Sequence, residues 1–261
     1  MAHEMKITPA DGLNIRLVQI TDTHIDADAG ENFEGMDTTA SLDRVIERVN
    51  SLDPVPDAIL ATGDLAHHAS EAAYGKLLQR LILLKAPVFC LPGNHDDPEL
   101  MQALLNSGNV STEKILNMDV WKVVLLNTWL ADSHSGRLPG EELAFLKEAL
   151  TNGQDKHILV CLHHPPVKTG SPWMDAMMLE NPELLLNIAD ANEHVRGIVW
   201  GHIHQEFREE RGGMLLLGSP STCVQFKPHT QAFTKDVLPP AFRTLTLRPE
   251  GKIESAIVWI Q

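Results

Sequence analysis

The sequence predicts an α/β fold with mixed sheets, on three observations: short apolar runs rich in β-branched residues, amphipathic helical windows between them, and hairpin-like patterning in the last quarter. The runs are 14–20 (NIRLVQI), 57–62 (DAILAT), 86–91 (APVFCL), 121–127 (WKVVLLN), 157–162 (HILVCL) and 195–200 (VRGIVW). Each is bounded by polar residues or Gly/Pro and reads as a buried strand. Between the first two, Leu42, Val45, Ile46 and Val49 repeat at i, i+3, i+4, i+7, which predicts a helix with Thr38 or Thr39 as its N-cap. Windows 70–85, 140–150 and 182–192 share that periodicity. Near the C-terminus, EFREERGGMLLLGSP predicts a hairpin turning at Gly212–Gly213, and FRTLTL with KIESAIVWI a second antiparallel pair. Segment 165–180, rich in Pro and Met, predicts a loop or lid.

With 261 residues, 43% of them apolar, the chain can bury a substantial core, and no linker or repeat divides it, so one domain over 1–261 is expected. The formal charge of -14 is spread along the chain without a Lys/Arg cluster, which argues against a nucleic-acid surface. No stretch approaches the ~18 uninterrupted apolar residues of a membrane span. The opening MAHEMKITPADG has neither a basic nor an apolar leader region, and a cytoplasmic location is expected. Cys90, Cys161 and Cys223 are odd in number, lie in apolar contexts and form no CxxC pair, so buried reduced thiols are expected. Any metal would be held by nitrogen and oxygen.

Five of the apolar runs end in groups that can bind metal: Thr21-Asp22-Thr23-His24, Gly63-Asp64, Gly93-Asn94-His95-Asp96, His163-His164 and Gly201-His202-Ile203-His204. Singly, each has a plain reading. The first is a turn with a helix cap, Gly-Asp ends many strands, and HHPP is a loop whose prolines direct its exit. GHIH reads plainly as a solvated histidine pair, although its i, i+2 spacing on an extended segment directs both rings to one side. Together they point to one crevice, because the carboxyl ends of parallel strands converge. Carboxylate and imidazole donors without thiolate suit Mn, Fe, Zn or Co, and a shared carboxylate can bridge two cations ~3.5–4 Å apart.

The order Asp22-x-His24, Gly63-Asp64, Gly93-Asn94-His95-Asp96, His163, Gly201-His202-x-His204 resembles the signature of the calcineurin-like metallophosphoesterases. The stretches QITDTH, ATGDLA, LPGNHD, GHIHQE and PSTCVQFKPH resemble in particular the bacterial class III 3',5'-cyclic-AMP phosphodiesterases of the CpdA type. The resemblance implies two mixed sheets packed as a sandwich flanked by helices, a four-layer α/β/β/α arrangement. It implies two metal ions, Fe or Mn foremost, with Zn or Co accepted. Asp22, His24, Asp64 and His204 would hold one, and Asp64 would bridge to a second held also by Asn94, His163 and His202. His163 is preferred to His164, which would stand behind it or support the loop.

The implied reaction is hydrolysis of 3',5'-cyclic AMP to 5'-AMP by in-line attack of a metal-bridging hydroxide, with His95 as general acid or transition-state donor. His24, Asp64, Asn94, His95, His163 and His204 would meet the substrate. The alternative is the same core acting on another phosphodiester, a nucleotide pyrophosphate or a phosphomonoester. A small cyclic nucleotide is the expected partner, with neither nucleic acid nor membrane, and monomer and homodimer are both compatible. His67 and His68 read as surface loop, and Trp173, Met174, Met177 and Met178 as lid packing. Lys227 and His229 fit either a substrate-end or a hairpin role, and Asp96 either support behind the ligands or a helix cap.

Overall fold

The structure, a computed structural model, describes residues 5–7, 13–28, 32–153 and 155–261. The elements run β1 (Met5–Lys6), β2 (Ile15–Ile20), α1 (Thr38–Asn50), β3 (Ala58–Thr62), α2 (Glu71–Leu81), β4 (Val88–Leu91), α3 (Pro98–Leu104), β5 (Val110–Ser111), β6 (Ile115–Met118) and β7 (Trp121–Leu125). They continue α4 (Gly140–Thr151), β8 (His157–Cys161), α5 (Pro172–Asp175), α6 (Pro182–Asp190), β9 (Val195–Trp200), β10 (Phe207–Arg211), β11 (Met214–Gly218), β12 (Ala241–Leu247) and β13 (Ile253–Trp259). A first sheet has the order β13-β12-β2-β3-β4-β5 and a second β1-β6-β7-β8-β9-β11-β10. β2, β3 and β4 are parallel in the first sheet, and β7, β8, β9 and β11 in the second. The two expected C-terminal hairpins are β10–β11 and β12–β13, and β12 also pairs antiparallel with β2.

Strand alternation sorts the side chains into layers. From β2, Ile15 and Leu17 face the second sheet with Phe89, Trp121, Leu159 and Val199, whereas Val18 and Ile20 pack against α1 and α2. On the outer face of the second sheet, Val160 and Ile198 pack with Leu146 of α4 and Leu185 of α6. The result is the α/β/β/α sandwich that the resemblance implies. α1 buries Leu42, Val45, Ile46 and Val49 as its spacing predicts, but its N-cap is Asp37, whose carboxylate accepts from Ala40 N at 2.9 Å. Thr38 is buried and its hydroxyl donates to the His24 carbonyl at 3.0 Å, tying the helix start to a strand-end loop.

Between the sheets, just beneath those loops, Gln19 Nε2 donates to Thr62 Oγ1 at 2.8 Å and to the Trp200 carbonyl at 3.1 Å. Its Oε1 accepts from Ser219 Oγ, which accepts from the buried Arg243 Nε. This bridge fixes the ends of β2, β3 and β9 relative to one another across both layers. The three cysteines are free and buried, as expected. Among the described residues no helix is long and apolar enough to cross a membrane.

Candidate active site

The site lies at the carboxyl ends of β2, β3 and β4 from one sheet and β8 and β9 from the other. Single-sheet reasoning predicts one crevice, whereas the residues come from both layers. The chain leaves β2, β3 and β9 through tight turns in which Asp22, His24, Asp64, His202 and His204 have φ of 54°, 44°, 50°, 66° and 47°. They are five of the nine non-glycine residues with positive φ among the described residues. Such a conformation costs a residue with a Cβ about 1–2 kcal/mol, so the surroundings must enforce it. They do so with hydrogen bonds from Asp22 N to the Gly63 carbonyl (2.9 Å), His24 N to the Asp64 carbonyl (3.0 Å) and His202 N to the Asp22 carboxylate (3.1 Å). Gly63, at φ +92°, and Gly93 keep this junction narrow: a Cβ on the first would strike the His163 ring, and one on the second the Asp64 carboxylate.

Six of the seven predicted ligands thereby meet in a buried cluster, and the partly buried Asn94 reaches it through His163. His24 Nε2 is 3.3 Å from His204 Nε2 and 3.9 Å from Asp64 Oδ2, and His204 Nε2 is 3.3 Å from Asp22 Oδ1. His163 Nε2 is 3.3 Å from both Asp64 Oδ2 and Asn94 Oδ1. The other ring nitrogens face acceptors: His163 Nδ1 donates to the Thr62 carbonyl at 2.8 Å and His204 Nδ1 to the Val224 carbonyl at 2.6 Å. A carbonyl only accepts, so these bonds place the proton on Nδ1 and leave Nε2 directed into the cluster.

The donors fit metal ions. Asp22 and Asp64 are 0% and 3% exposed, and their ion-pair partners are histidines. Buried carboxylates need a compensating cation. Asp22–His24–His204, Asp22–Asp64–His163 and His163–His164–His202 each bring ligand atoms within 4.8 Å of one another. Burial, then the charge of His163, pushes His202 down to about 3, and burial holds His24 well below its usual range, so both rings are the neutral species that binds metal. Burial opposes charge on Asp64 and His163 alike, yet their mutual attraction prevails: the carboxyl is held well below its usual range and the imidazole raised to about 9. A metal ion there would displace that imidazole proton.

His95 stands at the rim, partly buried. Its backbone N–H donates to Asp64 Oδ1 at 2.9 Å, its Nδ1 to the His67 carbonyl at 2.9 Å, and its ring lies edge-on to His24 with centroids 4.9 Å apart. His164 is fully buried behind the cluster, with Nδ1 2.7 Å from Thr128 Oγ1 and its ring 4.8 Å from His202. Asp96 supports the ligand loops and is not the helix cap: it is 4% exposed and accepts from Leu65 N, Ala66 N, Gly93 N and Tyr74 Oη at 2.9–3.0 Å, while Asp97 caps α3. His67 departs from the surface-loop expectation. It is half-buried, stacks on His95 at 5.1 Å and 20°, and places Nδ1 3.3 Å from His24 Nδ1. His68 is exposed and pairs with Asp26.

Sequence reasoning misses Phe33, stacked on His24 at 4.4 Å, and His134, whose Nδ1 is 3.5 Å from Asn94 Nδ2. Neither follows a strand-like run, so no spacing signal marks them. A cavity of about 220 Å³ beside His24 is lined by Asp26, Asn32, Phe33, His67 and His68. Phe226, from the PSTCVQFKPH stretch, stacks on His204 at 3.9 Å and meets Trp173 of the lid segment at 5.5 Å. Met174 is buried there, as lid packing predicts. Lys227 and His229 are exposed on the loop closed by the Phe226–Lys235 pairing.

The chain belongs to the calcineurin-like phosphoesterase family, whose model matches residues 15–206. It is 40% identical over 250 residues to the 3',5'-cyclic adenosine monophosphate phosphodiesterase CpdA of Pseudomonas aeruginosa, covering 96% of this chain and 92% of that one. The CpdA of Escherichia coli K12 is 36% identical over 244 residues, with coverages of 93% and 89%. Among solved structures, a dimetal phosphatase from Danio rerio shares the fold, with a TM-score of 0.63 at 16% identity and coverages of 95% and 99%.

Proposed function

We propose that the protein is a cytoplasmic phosphodiesterase that hydrolyses 3',5'-cyclic AMP to 5'-AMP. The observation that carries this reading is the convergence of seven donors, Asp64 among them, in a chain 40% identical, over 96% of its length, to a cyclic AMP phosphodiesterase. Asp22, His24, Asp64 and His204 would hold one cation, and Asp64, Asn94, His163 and His202 a second. Two such ions, Fe or Mn foremost, with Zn or Co accepted, would supply a water of lowered pKa and neutralise the phosphate charge.

The chain itself does the rest. The product 5'-AMP requires cleavage of the bond from phosphorus to the 3' oxygen, and an alkoxide leaving group needs a proton. His95 is the residue for that transfer: Nδ1–H is committed to the His67 carbonyl, so Nε2 is the nitrogen left for the leaving oxygen, and it donates when the ring is the imidazolium, with a proton on each nitrogen. The Asp64 carboxylate accepts the His95 backbone N–H, which sets the ring beside the phosphate position. The cavity beside His24, with Phe33 as an apolar face and Asn32 as a hydrogen-bonding group, is suited to the nucleoside.

The test is kcat/KM of Mn²⁺-loaded protein on 3',5'-cyclic AMP, 3',5'-cyclic GMP, 2',3'-cyclic AMP and an aryl phosphodiester. Cyclic AMP should be the best substrate. An equal or higher value on the aryl ester would overturn the assignment in favour of a general phosphodiesterase.

A further inference from the structure

We propose that His67 is a positioning residue for both His24 and His95: its Nδ1 accepts a hydrogen bond from His24 Nδ1 and its carbonyl one from His95 Nδ1, so that both rings present Nε2 to the cleft. The inference rests on the reading above that His24 holds a metal. A neutral imidazole carries one proton, so a ring giving the Nε2 lone pair to a metal must keep its hydrogen on Nδ1. His24 Nε2 is the nitrogen facing His204 and Asp64. Its Nδ1–H points at the His67 ring, 3.3 Å away, and only an unprotonated Nδ1 there can accept it.

The arrangement differs from that at the neighbouring ligands. His163 and His204 anchor Nδ1 on backbone carbonyls, which no substitution removes, whereas His24 depends on a side chain. That side chain is itself held. His67 N donates to the Ile25 carbonyl at 2.9 Å, Ile25 and Ala66 pair as a parallel bridge, and the ring is stacked against His95 and within 5.0 Å of Phe33. Hydrogen-bonding partners behind a metal ligand are worth roughly 10–100-fold in metal affinity or activity. His67 would thus tune the metal held by His24 through its side chain, while its backbone carbonyl, which any residue there supplies, aims His95.

The test titrates metal-free, full-length protein with Mn²⁺ and reads free Mn²⁺ by its electron paramagnetic resonance signal, without recourse to activity. Wild type should bind two ions per chain. H67F keeps an aromatic ring for the stacking and removes the acceptor, and it should weaken one of the two binding steps by roughly 10–100-fold. H67N should restore that step, because Asn Oδ1 hangs from Cγ where His Nδ1 does. H67Q, which mimics Nε2 instead, should not restore it. If the H67F variant does not fold, the contrast between H67N and H67Q carries the same test. Two wild-type binding steps with H67F unchanged, or H67N no better than H67Q, would overturn the proposal and leave the metal reading standing. A wild-type chain that binds no Mn²⁺ would overturn both.

Discussion

Replacing Asp96 by Asn should lower stability by an amount that the structure allows to be worked out. At pH 8 the carboxyl, raised to about 6 by burial and by the charge of Asp64, is ionised and has only acceptors to offer. Oδ1 takes Ala66 N and Tyr74 Oη, and Oδ2 takes Leu65 N and Gly93 N. An amide can keep one of these pairs. Turned so that its oxygen keeps Leu65 N and Gly93 N, it aims its NH₂ at Tyr74 and Ala66. The phenolic oxygen already accepts from Asp97 N at 2.8 Å and can accept once more, but its own hydroxyl proton and Ala66 N–H are both left buried without an acceptor. Two such orphans cost about 4 kcal/mol. For a chain of this size that corresponds to a fall of roughly 8–16 °C in Tm. D96A orphans more donors and should cost about twice as much. The assay is thermal unfolding of chelator-treated protein followed by circular dichroism at pH 8. A D96N variant melting within about 1 °C of wild type would refute the assigned role of Asp96 as the clamp between the Asp64 and Asn94 loops.

Other substitutions probe the chemistry directly. H95A should lower kcat on cyclic AMP by at least ~10²-fold while the metal content of the protein, measured by plasma mass spectrometry, stays at the wild-type value; near-normal kcat would remove His95 from the reaction. D64A takes away the carboxylate proposed to bridge the two ions, so bound metal should fall from two ions to one or none, and two retained ions would refute a bridging role. G93A places a methyl group against the Asp64 carboxylate and should reduce kcat/KM by more than tenfold, since misplacing a catalytic group by ~1 Å costs about 10²-fold; full activity would mean that the junction is looser than its contacts indicate.

Much of the fold is legible in the chain because strands buried on both faces are nearly continuous apolar runs, and the six runs correspond to β2, β3, β4, β7, β8 and β9 within a residue or two at each end. β5 and β6 are not legible: Val110–Ser111 and Ile115–Met118 are too short to show a period and exist through pairing with β4 and β7. Periodicity is also silent on the division into two sheets, since β2–β4 and β7–β9 look alike and only their partners distinguish them. The residues proposed to bind metal announce themselves because each follows a strand. His67 and His134 do not, because their relation to His24 and Asn94 arises from how loops fold over one another, which leaves no spacing to read. The N-cap of α1, expected at Thr38 or Thr39, lies one or two residues earlier for a related reason: Thr38 has the right chemistry, but its hydroxyl is engaged by the His24 carbonyl.

The two-layer origin of the site has a consequence for how the protein is made. Asp22, His24, Asp64 and Asn94 leave the ribosome first, on loops of one sheet, and His163, His202 and His204 follow on loops of the other. The first sheet also waits for β12, which pairs with β2 from the far end of the chain. A nascent polypeptide therefore carries scattered donors, the seven proposed metal ligands come together only when synthesis is nearly over, and any selection among ions would fall to the finished fold.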